Sequence, residues 1–151
     1  MAGFQTPGRS EVYALNGMAA TSHPLGAKVA VEMLESGGNA VDAAIAGAVA
    51  LGVCEPQMTG IGGDLFAMVK PAGTEEVVGL NACGRAPGGF DAEALRAAGH
   101  HTIPDGSAHT VTVPGAIRGF EALATDYGLK GLAACLDPAI RSEERRVGKE
   151  C

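Results

Sequence analysis

The segment that most restricts what this chain can fold into is AAIAGAVALGVC, Ala43 to Cys54, which carries no charge. Asn39 stands before it as an N-cap, and Asp42 falls in the first turn, where a carboxylate suits the helix dipole. The segment is therefore expected to be a helix. A helix that is apolar on every side is buried on every side. Its alanines and glycines predict tight packing between layers, so it belongs inside the fold. The apolar window Ala40 to Val53 is too short to span a membrane. Pro56 follows closely and forbids simple continuation.

After this helix comes EPQMTGIGGDLF, Glu55 to Phe66. Glycine-rich loops often cradle phosphates, but this one is built the wrong way round. A dinucleotide fingerprint runs strand, GxGxxG, helix, with the helix N-terminus facing the phosphate. Here the order is helix, loop, strand, and Leu65 stands where the third glycine should be. A P-loop needs Lys and Ser or Thr after its last glycine, and Asp64 stands there instead. A carboxylate beside the glycines repels phosphate. The glycines are better read as permitting positive φ and close backbone approach. Asp64 is expected to bond nearby backbone amides.

The rest of the chain alternates short elements with turns. Gly17 to Thr21 reads as a short strand. Ser22 is expected to cap a helix that has Pro24 in its first turn. Leu25, Val29 and Met33 form its apolar stripe, and Gly37-Gly38 end it. Thr21-Ser22-His23 puts a nucleophile type beside a base, but neighbours at a helix start rarely face each other. Leu65 to Lys70 and Glu75 to Asn81 read as a hairpin around Pro71-Ala72-Gly73-Thr74. A short helix from Asp91 to Ala98 follows, then a polar loop with His100, His101 and His109. Thr110 to Val113 reads as a strand, Ala116 to Tyr127 as a helix, and Leu132 to Cys135 as the start of another.

At 151 residues the chain is one domain or part of one. With 23 glycines, 4% aromatics and no Trp, its core must be built from small residues. A net charge of −6 argues against nucleic acid as a partner. Cys54, Cys83, Cys135 and Cys151 form no CxxC pair and no metal-ligand spacing. The histidine loop offers no acidic or Cys partner at ligand spacing, so no metal is expected. The N-terminus has no signal-like apolar run. The expected location is the cytoplasm, or the periplasm or exterior if the true start lies upstream.

Three regions are expected: a lead-in at 1–16, a partial domain at 17–140 and a non-native tail at 141–151. The tail, RSEERRVGKEC, resembles one translated frame of a common sequencing-adapter oligonucleotide.

Several pieces resemble a single family when taken in order. The stretch from Ala20 to Val69, with SGGNAVDAA and EPQMTGIGGDLF, resembles the start of the large subunit of γ-glutamyltranspeptidases and related acylases. HTVTVPGAIRGFEALATDYG and LDPAI resemble the segments that follow it. The likeness covers about residues 17 to 140. It implies an α+β fold, the αββα sandwich of N-terminal-nucleophile hydrolases, here incomplete. A precursor cuts itself, and the new N-terminal Thr of the small subunit attacks an amide carbonyl with its own amine as base. The implied substrate is a small γ-glutamyl or other N-acyl amide such as glutathione, and the implied protein partner is the self-derived small subunit. No cofactor is implied, and neither membrane nor nucleic acid. The nucleophile lies outside this chain, so no catalytic residue is expected in it and the fragment alone is expected to be inactive.

One position departs from the typical pattern. In γ-glutamyltranspeptidases a strand ends in Arg-Glu before x-Ala-Pro, and that Arg grips the substrate's α-carboxylate. Here the strand ends LNACGRAP, with Cys83 and Gly84 in those places and Arg85 after them. This form resembles the acylase-like branch and leaves two readings of the substrate, γ-glutamyl amide or the amide of a cephalosporin-acylase-like amidohydrolase. Arg85 and Cys83 are the candidate substrate-binding residues, with a surface or interlayer ion pair as the alternative for Arg85 and simple packing for Cys83. A non-catalytic binding module is the reading from another class.

Overall fold

The computed structural model describes residues 10–147. The expected lead-in and tail therefore fall partly outside the described residues. The order is α1 (Pro24–Glu35), α2 (Ala40–Cys54), β1 (Leu65–Val69), β2 (Val78–Ala82), α3 (Ala92–Ala97), a 3-10 turn (Ala108–Thr110), α4 (Ala116–Tyr127) and α5 (Leu132–Val147). β1 and β2 pair antiparallel, with Leu65 opposite Ala82 and Val69 opposite Val78. α1, α4 and α5 pack on α2, and α4 lies against this hairpin. That is an α+β arrangement of packed helices with, among the described residues, a two-stranded sheet.

Small residues let α1 and α2 approach closely. A Cβ on Gly26 would sit 2.8 Å from Leu51 Cδ2, and one on Gly47 would sit 3.3 Å from the Ala30 Cβ. The buried stripe of α1 is accordingly Gly26, Ala30 and Met33. Of the expected stripe of Leu25, Val29 and Met33, Met33 is buried and Val29 packs half-buried against the core, while Leu25 turns outward. Leu25 is exposed, because closeness of backbones wins over side-chain size at this contact. The end of α1 is as expected: Gly37 adopts φ 87°, its amide reaches the Leu34 carbonyl, and the Gly38 amide reaches the Met33 carbonyl.

The cap of α1 differs from expectation. His23, not Ser22, is the N-cap, and its Nδ1 accepts the Leu25 amide at 3.2 Å. The Ser22 hydroxyl instead donates to the Glu55 carboxylate. Two expected strands are also missing. Gly17 to Thr21 is coil, and Thr110 to Val113 begins inside the 3-10 turn and continues as coil, with the Val113 amide bonded to the Arg85 carbonyl but no ladder formed. Both are apolar stretches of strand composition that find no ladder partner among the described residues.

The capping box on α2 is complete: Asn39 Oδ1 accepts the Val41 and Asp42 amides, and Asp42 Oδ2 accepts the Asn39 amide. Asp42 does more than suit the dipole. Its side chain is fully buried and also accepts the Leu129 and Lys130 amides and the Cys135 thiol, tying α2 to the α4–α5 connection. Burial pushes its carboxyl up, but the three backbone amides outweigh that and hold it below the usual carboxylate range. Burial first, then the Asp42 charge, pushes the Cys135 thiol up to about 11.

α2 is not covered on every side. Ala40 and Ala44 are exposed, beside an apolar groove of about 810 Å³ bounded by α2, β1 and α4. The outer face of the hairpin is open too, with Phe66 66% and Met68 82% exposed. α5 runs past residue 140 to Val147, with Pro138 inside it.

Candidate functional site

The glycine loop, the exit of β2 and the segment before α4 meet at one place. The loop ends at Gly63, whose carbonyl accepts the amides of Gly115 and Ala116 at 3.1 and 3.0 Å. These are first-turn donors of α4, which has no side-chain cap of its own. The next residue, Asp64, reaches the other way. Its Oδ1 accepts the Gly84 amide at 2.7 Å and the Thr112 hydroxyl at 3.4 Å, and its Oδ2 accepts the Cys83 thiol at 3.5 Å. The expected nearby amides are not its partners among the described residues: the backbone amide it accepts is that of Gly84, twenty positions along the chain.

The turn Cys83–Arg85 is clamped from a second side. The Val113 amide donates to the Arg85 carbonyl at 2.9 Å. A Cβ on Gly84 would lie 2.0 Å from the Val113 carbonyl oxygen, and one on Gly115 2.2 Å from that of Ala82. Glycine at both places lets the two backbones touch. The Cys83 amide is held by Asn81 Oδ1 at 2.9 Å.

The electrostatics follow from these bonds. The Gly84 amide, then the Cys83 thiol, and to a lesser degree Thr112, hold the Asp64 carboxyl below its ordinary range. Local desolvation, then Asp64, raises the Cys83 thiol. Cys83 is therefore a protonated thiol at neutral pH and a poor nucleophile. Cys83 and Arg85 are both exposed, and among the described residues Arg85 pairs with no carboxylate. The ion-pair alternative for Arg85 finds no partner here. Cys83 is engaged with Asp64 and is not simply packed.

The other candidates stand apart. His23 spends Nδ1 on its cap and Ser22 spends its hydroxyl on Glu55, so Thr21-Ser22-His23 forms no nucleophile–base pair. His109 meets the Phe90 ring edge-on, with centroids 6.2 Å apart. Among the described residues no group of three His, Cys, Asp or Glu side chains is placed to hold a metal ion.

A sequence profile described as gamma-glutamyltranspeptidase matches residues 26–145. The chain belongs to the γ-glutamyltranspeptidase family. It is 35% identical over 134 residues to the glutathione hydrolase proenzyme of Bacillus subtilis (strain 168), a match covering 86% of this chain and 23% of that protein. Among solved structures it is similar to the cephalosporin acylase of Bacillus halodurans, with 47% identity, a TM-score of 0.84, and 96% of this chain against 27% of that one. It is also similar to the γ-glutamyltranspeptidase of Helicobacter pylori, with 33% identity, a TM-score of 0.75, and 87% of this chain against 38% of that one. The chain thus spans about a quarter of the length of the curated relatives it matches.

Within the family frame, the hairpin and α4 are what deliver the Cys83–Arg85 turn. Gly119 of α4 makes this possible, since a Cβ there would lie 2.6 Å from Leu65 Cδ2 and 2.7 Å from the Ala82 Cβ. Sequence reasoning missed Thr112 and Val113 as partners of the turn. Pro114-Gly115 was the signal available, a breaker placed where one backbone meets another. The loop glycines were misjudged: Gly60, Gly62 and Gly63 have no positive φ, and a Cβ on any of them meets nothing within 4 Å. The loop is held by the Gly63 carbonyl and by Asp64, not by crowding at its glycines.

Proposed function

We propose that this chain is the acyl-recognising N-terminal part of an amide hydrolase of the γ-glutamyltranspeptidase family, with substrate preference of the acylase kind. The observation that carries this is the Cys83–Arg85 turn. It stands at the strand exit where typical γ-glutamyltranspeptidases hold an Arg-Glu pair, and it offers a neutral thiol, a glycine and an exposed guanidinium with no carboxylate partner among the described residues. Arg85 presents two parallel donors to a carboxylate on the acyl group. Cys83 and Gly84 supply no charge for the amino-acid end of a γ-glutamyl group.

The reaction is acyl transfer. An N-terminal Thr, carried by a self-derived small subunit outside this chain, attacks the amide carbonyl through its hydroxyl, and its α-amine takes the proton. The amine departs and an acyl ester remains. Water, or an acceptor amine, then releases the acyl group and regenerates the Thr. The role of this chain is to hold the acyl group so that its carbonyl meets the nucleophile, a contribution of proximity and orientation.

The test compares two chromogenic anilides in the full-length protein carrying this chain. One bears a γ-glutamyl group, the other the same carbon chain and carboxylate without the amino group. The proposal expects kcat/KM at least about tenfold higher for the second, a factor within reach of one polar contact. A preference for the γ-glutamyl anilide returns the substrate to the transpeptidase type. The isolated 151-residue chain is expected to release no amine above buffer; release would refute the assignment of the nucleophile to another segment.

A further inference from the structure

We propose that Asp64 is the positioning residue of the acyl pocket: its carboxylate holds the Cys83–Arg85 turn against Thr112 and so fixes where Arg85 meets the carboxylate of the acyl group. This rests on the amide-hydrolase reading given above.

Two segments far from it and from each other in sequence converge on this one side chain. Asp64 takes the Gly84 amide, the Thr112 hydroxyl and the Cys83 thiol. A carboxylate acceptor makes the Gly84 bond, at 2.7 Å, one of the stronger kind. Arg85 follows immediately, and its own carbonyl is held by Val113. The backbone that carries the guanidinium is therefore fixed on both sides. A flexible Arg side chain on a free turn would sample many directions, and ordering it would weaken substrate binding. Asp64 removes that freedom before substrate arrives. It also occupies the Cys83 thiol, so that the position where relatives carry a cation is locked as a neutral donor. Asp64 never needs to touch the substrate. It acts through Gly84 and Arg85, and its loss is expected to show in KM more than in kcat.

The experiment uses the full-length enzyme with Asp64→Ala, Asp64→Asn and Arg85→Ala. Each variant is assayed with a carboxylate-bearing acyl anilide and an uncharged acyl anilide of the same length. Asp64→Ala is expected to raise KM for the charged substrate about tenfold, as loss of a charge-assisted bond implies, with kcat within about threefold. The uncharged substrate is expected to show no change in KM. Asp64→Asn keeps an oxygen for the Gly84 amide and is expected to recover most of the loss. A second measurement needs no activity: amide exchange at Gly84 in the 151-residue chain. It is expected to quicken about tenfold in Asp64→Ala while α2 stays protected. An unchanged KM, or an equal loss on both substrates together with failed self-cleavage, would overturn the proposal. If the wild-type enzyme cleaves neither anilide, the amide-hydrolase reading fails. The exchange rate at Gly84 then still decides, since unchanged exchange refutes Asp64 as the anchor of the turn and faster exchange supports it.

Discussion

Replacing Asp42 by alanine is expected to remove about 3–5 kcal/mol of folding stability, the lower part of what three stranded buried amide donors would cost. The side chain is 0% exposed and accepts the amides of Asn39 at 2.9 Å, Leu129 at 3.0 Å and Lys130 at 3.1 Å. Alanine strands those three donors. Each stranded donor costs about 1–3 kcal/mol, and water entering the space keeps the sum well under the maximum. No neighbour can fill the gap cheaply. Gly128, the adjacent residue of the α4–α5 connection, packs so closely that a Cβ on it would lie 2.9 Å from Asp42 Oδ1. A small domain holds only about 5–15 kcal/mol, so the loss would leave the chain marginal. The bound amides also set a pH dependence. They hold the folded carboxyl below its unfolded value. The stability Asp42 supplies is therefore fully present above about pH 4, the unfolded value, and is lost as pH falls through the lower folded one. Urea unfolding of the 151-residue chain, followed by helical circular dichroism at low protein concentration, measures both effects. Asp42→Asn is expected to lose about 2–3 kcal/mol at neutral pH and to show a flatter acid limb than wild type. An Asp42→Ala midpoint equal to wild type, or identical acid limbs for wild type and Asp42→Asn, would show that the carboxylate does not hold these elements together.

Gly119→Ala places a methyl group 2.6 Å from Leu65 Cδ2. It is expected to cost about 1–3 kcal/mol by overpacking and to lower Tm by roughly 3–10 °C, read by thermal circular dichroism. Phe66→Lys with Met68→Lys puts charges on the open face of the hairpin, where both residues are exposed. Light scattering of the isolated chain is expected to show less self-association in the double variant, because a large exposed apolar patch drives association. Gly62→Ala is expected to leave the stability of the chain unchanged or raise it by about 0.4–1 kcal/mol, since its φ is not positive and a Cβ there meets nothing. A fall of more than about 1 kcal/mol in urea unfolding would show that the loop is crowded after all.

The sequence was legible wherever the controlling contact is local. The Asn39 cap of α2, the Gly37–Gly38 stop and the Asp91 cap of α3 all involve residues within a few positions of each other, although the return bond from Asp42 to Asn39 was not foreseen. The hairpin was readable for the same reason, although its second strand begins at Val78 rather than Glu75 and its connection is longer than the four-residue turn expected. The outward turn of Leu25 on α1 was not, because it depends on how closely Gly26 can approach Leu51 across the α1–α2 contact. The α1 cap went to His23 because Ser22 has a stronger acceptor in Glu55, thirty-three positions away. The failures at Gly17–Thr21 and Thr110–Val113 are of another kind. Composition marks these stretches as strands, but a strand exists only with a partner, and none is present among the described residues. Cys83 and Arg85 could be singled out from the sequence through the family likeness, whereas their dependence on Asp64 and Val113 could not, since nothing in the spacing of 64, 84 and 113 announces it.

That dependence changes how the glycine loop should be understood. Its end performs two jobs with adjacent residues: the Gly63 carbonyl receives the Gly115 and Ala116 amides at the start of α4, and the Asp64 carboxylate receives the Gly84 amide and the Cys83 thiol of the Cys83–Arg85 turn. A shift of the loop would therefore move the start of a core helix and the candidate pocket together. Stability and site geometry are coupled at this point through two consecutive residues. The coupling explains why an exposed turn, resting on only a two-stranded sheet, can still be held in one place: it is tied to α4, and α4 is fixed by Phe120, Leu123 and Ala124 in the core. The glycines ahead of it are not required by any contact among the described residues.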